Sequence, residues 1–88
     1  MNLQPVFVDV DPNTMNMDID QLEKLITPEV KGIVAVHILG NCTDMNRLMK
    51  IVDDNKLFIM EDTCESLGSL YNGKMLGSFG DFGTYSFY

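Results

Sequence analysis

Gly32-Ile33-Val34-Ala35-Val36-His37-Ile38 is a nearly unbroken apolar run, and Gly40-Asn41 stops it. Runs of this kind are strands buried on both faces, and such strands belong to parallel sheets. Parallel strands need a crossover between them, usually a helix. The flanking sequence supplies both. Leu57-Phe58-Ile59-Met60 is a second buried run, ending abruptly in Glu61-Asp62. Between the two, Met45, Leu48, Met49 and Val52 recur at helical spacing, with Thr43 or Asp44 as N-cap. Asp53-Asp54-Asn55 lies at the end of that helix, where the macrodipole disfavours negative charge, so the last turn is expected to fray.

Upstream, Val6-Phe7-Val8-Asp9-Val10 is β-branched and aromatic, and Asp11-Pro12-Asn13 closes it, which predicts a strand running into a turn. Asp18 precedes Gln21 at capping-box spacing, and Ile19, Leu22, Leu25 and Ile26 form one apolar stripe, which predicts a short helix ended by Thr27-Pro28. Downstream, Asn72-Gly73 between Ser69-Leu70-Tyr71 and Lys74-Met75-Leu76 is a hairpin signal, because both turn positions need φ > 0. Gly77, Gly80 and Gly83 punctuate a loop, and Thr84-Tyr85-Ser86-Phe87-Tyr88 reads as a further strand. The fold class is α/β: a mainly parallel sheet with crossover helices plus one hairpin. Two short helices cannot cover both faces of such a sheet, and the last strand runs to the end of the chain with no cap. Residues 1–88 are therefore expected to be one piece of a larger domain.

Composition narrows the function. Hydrophobic residues make up 45% and charged residues 22% of the chain, a globular balance, and the net charge is −7. That charge repels phosphate backbones, so nucleic-acid binding is disfavoured. No apolar run reaches the roughly 20 residues that span a bilayer, and the first residues lack the basic end and apolar core of a signal peptide. Cys42 and Cys64 make no disulfide framework, so a reducing cytoplasm is the default location. Neither has a partner at metal-ligand spacing, so no metal site is expected.

Asp62 is the leading candidate for chemistry. It sits at the carboxyl end of a buried strand, the edge where open α/β sheets bind ligands. A partly desolvated carboxylate there needs a cationic or hydrogen-bonding partner, such as a protonated ring nitrogen of a cofactor. The competing reading is a helix N-cap for the residues after it. Ser86, between Tyr85 and Phe87, either donates to a phosphate or simply alternates polar against aromatic along a strand. His37 reads as a hydrogen-bonded core or edge histidine. Gly77, Gly80 and Gly83 do not lead from a strand into a helix, so they are not a dinucleotide fingerprint.

Pro5-Val6-Phe7-Val8-Asp9-Val10-Asp11-Pro12, Ile26-Thr27-Pro28, Val36-His37-Ile38-Leu39-Gly40, Glu61-Asp62 and Gly77-Ser78-Phe79-Gly80-Asp81-Phe82-Gly83 before Ser86-Phe87-Tyr88 occur in that order. This ordered set resembles the DegT–DnrJ–StrS family, pyridoxal 5'-phosphate (PLP) enzymes of the aspartate-aminotransferase-like fold (fold type I) that act on sugar nucleotides. The resemblance runs from about Pro5 to Tyr88 and implies a fragment of the large, PLP-binding domain. It implies that Asp62 pairs with the pyridinium nitrogen, that Ser86 bonds the cofactor phosphate, and that Cys64 and Glu65 lie beside the ring. Many members have Ala-Gln or Ala-His where Cys64-Glu65 stands. Glu65 is then protonated, or points elsewhere, or marks a branch with different chemistry. The family's cofactor-linked lysine falls just past Tyr88, and one branch has histidine there. That branch resembles sugar-nucleotide 3-dehydratases; the other members are aminotransferases. The resemblance thus implies aminotransfer to a nucleotide-linked keto-sugar in lipopolysaccharide, O-antigen or antibiotic synthesis, with 3-dehydration as the alternative. It also implies an amino-acid donor such as glutamate, a cytoplasmic homodimer as the full-length protein, and little activity in residues 1–88 alone. A standalone α/β module without chemistry is the rival of a different class.

Overall fold

A computed structural model describes residues 2–86. Its elements are α1 (Ile19–Leu25), β1 (Gly32–Val36), α2 (Met45–Asn55), β2 (Phe58–Asp62), β3 (Leu70–Tyr71), β4 (Lys74–Met75) and β5 (Phe82–Thr84). The main sheet has the order β1-β2-β5, and both pairings are parallel. The register sets Ala35, Glu61 and Gly83 abreast, and Val36, Asp62 and Thr84 abreast. The parallel α/β architecture thus follows the expectation from the sequence.

Local signals place the helices. Asp18 caps α1 by accepting from the Gln21 amide, 3.2 Å away. Only half of the capping box forms, because the Gln21 side chain accepts from the Asp9 amide instead. Asp44, not Thr43, caps α2 through the Arg47 amide. Thr43 is buried and donates to the Met17 carbonyl. The end of α2 does not fray. The Leu57 amide bonds the Val52 carbonyl at 2.9 Å and the Lys56 amide bonds the Asp53 carbonyl at 3.3 Å, with Lys56 left-handed at φ 53°. This Schellman closure satisfies the terminal carbonyls and buries Leu57 beside Val52 in the core. Lys50 on Asp54 adds a cation to the acidic last turn. The Asn72-Gly73 hairpin has both residues at positive φ, as a type I′ turn requires.

Both helices pack on one face of the sheet. Ile19, Leu22, Met45, Leu48 and Val52 meet Ile33, Ala35, Ile59 and Leu76 in one core. The opposite face, with Val34, Val36, Phe58 and Phe82, is exposed. The strand β1 is therefore not buried on both faces; its residues alternate, and Val34 is 59% exposed.

The expected strand at Val6–Val10 is absent. Phe7 is 88% exposed, and this segment's regular pairing is limited to an isolated bridge from Val10 to Met17. Its backbone is spent locally: Asp9 receives the Asp18 amide on its carbonyl, and its own carboxylate takes the Val10 amide. A strand needs a neighbouring edge, and the loop before α1 takes that role here. The last strand begins earlier than expected, at Phe82, inside the glycine loop. Phe87 and Tyr88 of the expected strand lie outside the described residues.

Candidate active site at the carboxyl end of the sheet

Strand β2 ends in two carboxylates that alternation sends to opposite faces. Glu61 goes to the covered face and is fully buried; Asp62 goes to the bare face and is half-buried. No helix follows Asp62, so the N-cap reading is replaced. Its Oδ1 accepts from the Cys64 amide at 3.1 Å, an Asx-type turn, and from the Thr84 hydroxyl at 3.4 Å. Both bonds fall on one oxygen. The Cys64 thiol and amide, then the Thr84 hydroxyl, hold the Asp62 carboxyl below its ordinary range, against the opposing effect of burial. The same pairing pushes the Cys64 thiol up, so it stays protonated at neutral pH. The result is an ionised carboxylate at a strand end, on an apolar face, suited to a protonated nitrogen or another cation.

The turn after β2 is tied down on both sides. Thr63 bonds the Thr84 carbonyl through its amide at 2.9 Å and through its hydroxyl. The Ser66 hydroxyl donates to the His37 carbonyl at 2.7 Å and accepts from the Gly40 amide at 3.0 Å. The ends of β1, β2 and β5 thus form one rim.

Asp62, Cys64 and Thr84 meet on this rim; the Cys64 sulfur lies 3.9 Å from the Thr84 hydroxyl. Glu65, one residue on, is exposed. Ser86 is half-buried, two residues beyond Thr84 along the continuation of β5. Thr84 escapes the sequence reading because a threonine in a strand carries no signal until the register sets it beside an aspartate. Glu61 escapes it too. Its Oε1 accepts from the Gly77 amide at 2.9 Å and lies 3.0 Å from His37 Nε2, and its Oε2 accepts from the Gly80 amide at 2.7 Å. His37, 1% exposed, is thus the hydrogen-bonded core histidine expected, and its Nδ1 has no partner among the described residues. The spacing of the three glycines after the hairpin was the available signal. No group of three metal-ligating side chains occurs among the described residues.

The family model for the DegT/DnrJ/EryC1/StrS aminotransferase family matches residues 1–88. The chain belongs to this family. It is 46% identical over 80 residues to a GDP-4-keto-6-deoxy-D-mannose 3-dehydratase of Yersinia pseudotuberculosis, covering 91% of this chain and 20% of that protein. It is 44% identical over 84 residues to a GDP-perosamine synthase of Caulobacter vibrioides, covering 96% of this chain and 23% of that protein. The structure of the E. coli GDP-4-keto-6-deoxy-D-mannose-3-dehydratase with bound hydrated PLP superposes with a TM-score of 0.87 at 42% identity, over 93% of this chain and 21% of that one. The chain therefore spans about a fifth of the length of these relatives. The fold is that of the family's enzymes.

Proposed function

We propose that this chain is the part of a PLP-binding large domain that carries the cofactor-pairing carboxylate of an enzyme acting on a nucleotide-linked keto-sugar. One observation carries the reading: Asp62 is an ionised carboxylate at the carboxyl end of a central parallel strand, on the bare face of the sheet. The donor set fits PLP. Asp62 suits a pyridinium nitrogen, the Ser86 hydroxyl suits a phosphate oxygen, and Cys64 with Glu65 would flank the ring. PLP, when bound, supplies an electron sink for bond-breaking next to a nitrogen-bearing carbon.

The protein's part is to hold a proton at the ring nitrogen. Asp62 does this by staying ionised, with its carboxylate desolvated on one side and fixed by the Cys64 amide. Thr84 fixes the same oxygen from β5 and so orients the carboxyl plane. The chain's five lysines are Lys24 in α1, Lys31 before β1, Lys50 in α2, Lys56 after α2 and Lys74 in the hairpin. None is on the rim strands' carboxyl ends, which is in line with the family resemblance, by which the cofactor-linked lysine, or the histidine that replaces it, falls just past Tyr88.

Aminotransfer from an amino-acid donor such as glutamate is the first reading of the reaction. Removal of the 3-hydroxyl is the second; identities of 46% to a 3-dehydratase and 44% to a GDP-perosamine synthase support the two alike. Lipopolysaccharide or related polysaccharide synthesis is the proposed setting, and a cytoplasmic homodimer is proposed from the family resemblance. No helix among the described residues is long and apolar enough to cross a membrane. The test is to assay the full-length protein with PLP, glutamate and a GDP-linked 4-keto-6-deoxy sugar, resolving products by mass. An amino-sugar supports the first reading and a 3-deoxy sugar the second; neither product would overturn both.

A further inference from the structure

Glu61 is a fully buried carboxylate that the chemistry at Asp62 does not use. It receives the Gly77 amide, the Gly80 amide and His37 Nε2, so both of its oxygens are committed. We propose that Glu61 is a positioning residue: it fastens the glycine loop beneath the sheet and so sets where Thr84 and Ser86 stand relative to Asp62. The proposal rests on the reading of Asp62 as the cofactor-facing carboxylate.

The coupling is steric. A Cβ added at Gly83 would lie 2.1 Å from the Gly77 carbonyl oxygen, so the loop and β5 touch backbone to backbone. A Cβ on Gly77 would lie 2.4 Å from the Tyr85 hydroxyl, which itself donates to the Leu76 carbonyl at 3.1 Å. Gly83 and Tyr85 flank Thr84, and Tyr85 precedes Ser86. Any shift of Gly77 is therefore passed to the residues on either side of Thr84. Gly80 is also pressed on the Ile59 carbonyl, 2.8 Å from an added Cβ. Asp81 pairs with Ile59 through its amide and its carboxylate, both at 2.9 Å, and keeps the β5 register without Glu61. Loss of Glu61 should then free the loop and leave the sheet. An amide cannot substitute, since a glutamine NH2 would face one of the glycine N–H groups, donor against donor.

The test uses hydrogen exchange and PLP binding on the full-length protein. In the cofactor-free wild type, the Gly77 and Gly80 amides should be protected. Glu61→Gln should speed their exchange, weaken PLP binding about tenfold or more and reduce the visible circular dichroism of bound PLP, as loss of a supporting shell does at other bound groups. Asp62→Asn should leave the exchange of both amides unchanged, so failure of the Asp62 reading is seen separately, as wild-type turnover in that variant. Should Glu61→Gln not fold, Gly80→Ala displaces the loop with the carboxylate intact and should weaken PLP binding likewise. Unprotected Gly77 and Gly80 amides in the wild type, or wild-type PLP affinity and dichroism in a folded Glu61→Gln or Gly80→Ala variant, would overturn the proposal.

Discussion

Glu61 and Asp62 are adjacent acids with opposite fates, because a strand turns successive side chains to opposite faces. Asp62 keeps its charge through donors on Cys64 and Thr84, and its folded value lies below the ordinary carboxylate range. A depressed carboxylate contributes stability above its unfolded pKa of about 3.9, and that contribution is lost as pH falls through the lower folded value. The Asp62 carboxyl carbon, followed by NMR, should therefore titrate below the ordinary carboxylate range, and Asp62→Asn should flatten the acid limb of the stability curve. The same bond holds the Cys64 proton. Asp62→Asn should thus speed alkylation of Cys64 by iodoacetamide at neutral pH; an unchanged rate would mean that the thiol is raised by something else. Asp62 stands out in the sequence as a candidate from its place at the end of an apolar run. Glu61 was not, because its partners Gly77 and Gly80 lie 16 and 19 residues away and only the folded loop brings them in.

Elements governed by local rules were legible. The apolar periodicity of α1 and α2, their aspartate caps and the Asn72-Gly73 turn all follow from residues within one or two turns of each other. Asp44→Ala should cost about 1 kcal/mol in urea denaturation, the ordinary worth of an N-cap. Elements that depend on a partner were not legible. Val6–Val10 has strand composition, yet it finds only the Met17 bridge. The end of α2 holds against its unfavourable macrodipole because Lys56, in a left-handed conformation, makes a Schellman closure that its residue type does not signal. A non-glycine residue pays conformational strain there, so Lys56→Gly should gain about 0.5 kcal/mol despite its entropy cost. Loss of stability in that variant would mean that the Lys56 side chain contributes more than its backbone costs.

At the scale of the whole chain, the helices cover one face, and a groove of about 1450 Å³ runs between the segment from Asn2 to Val10 and the bare one. The sequence predicted that two helices would not suffice, but it did not say which face would be bare. Burial of β1 on both faces was inferred from its apolar run; the alternating exposure within these 88 residues shows that apolar content alone does not report coverage. The proposed site lies at the carboxyl ends of the strands, and the lysines of the chain lie elsewhere. The 88-residue chain incubated with PLP and borohydride should therefore show no stoichiometric, saturable trapping. Tight trapping at one site would make a lysine of this chain the carrier and displace the site from Asp62.

The central claim is that Asp62 keeps a proton on the cofactor's ring nitrogen. The most direct measurement is the 15N NMR shift of PLP labelled at that nitrogen, bound to the full-length protein at a pH where the ring nitrogen of PLP free in solution has lost its proton. The account predicts a protonated nitrogen in the wild type and an unprotonated one in a folded Asp62→Asn variant. The same shift in both proteins would contradict it.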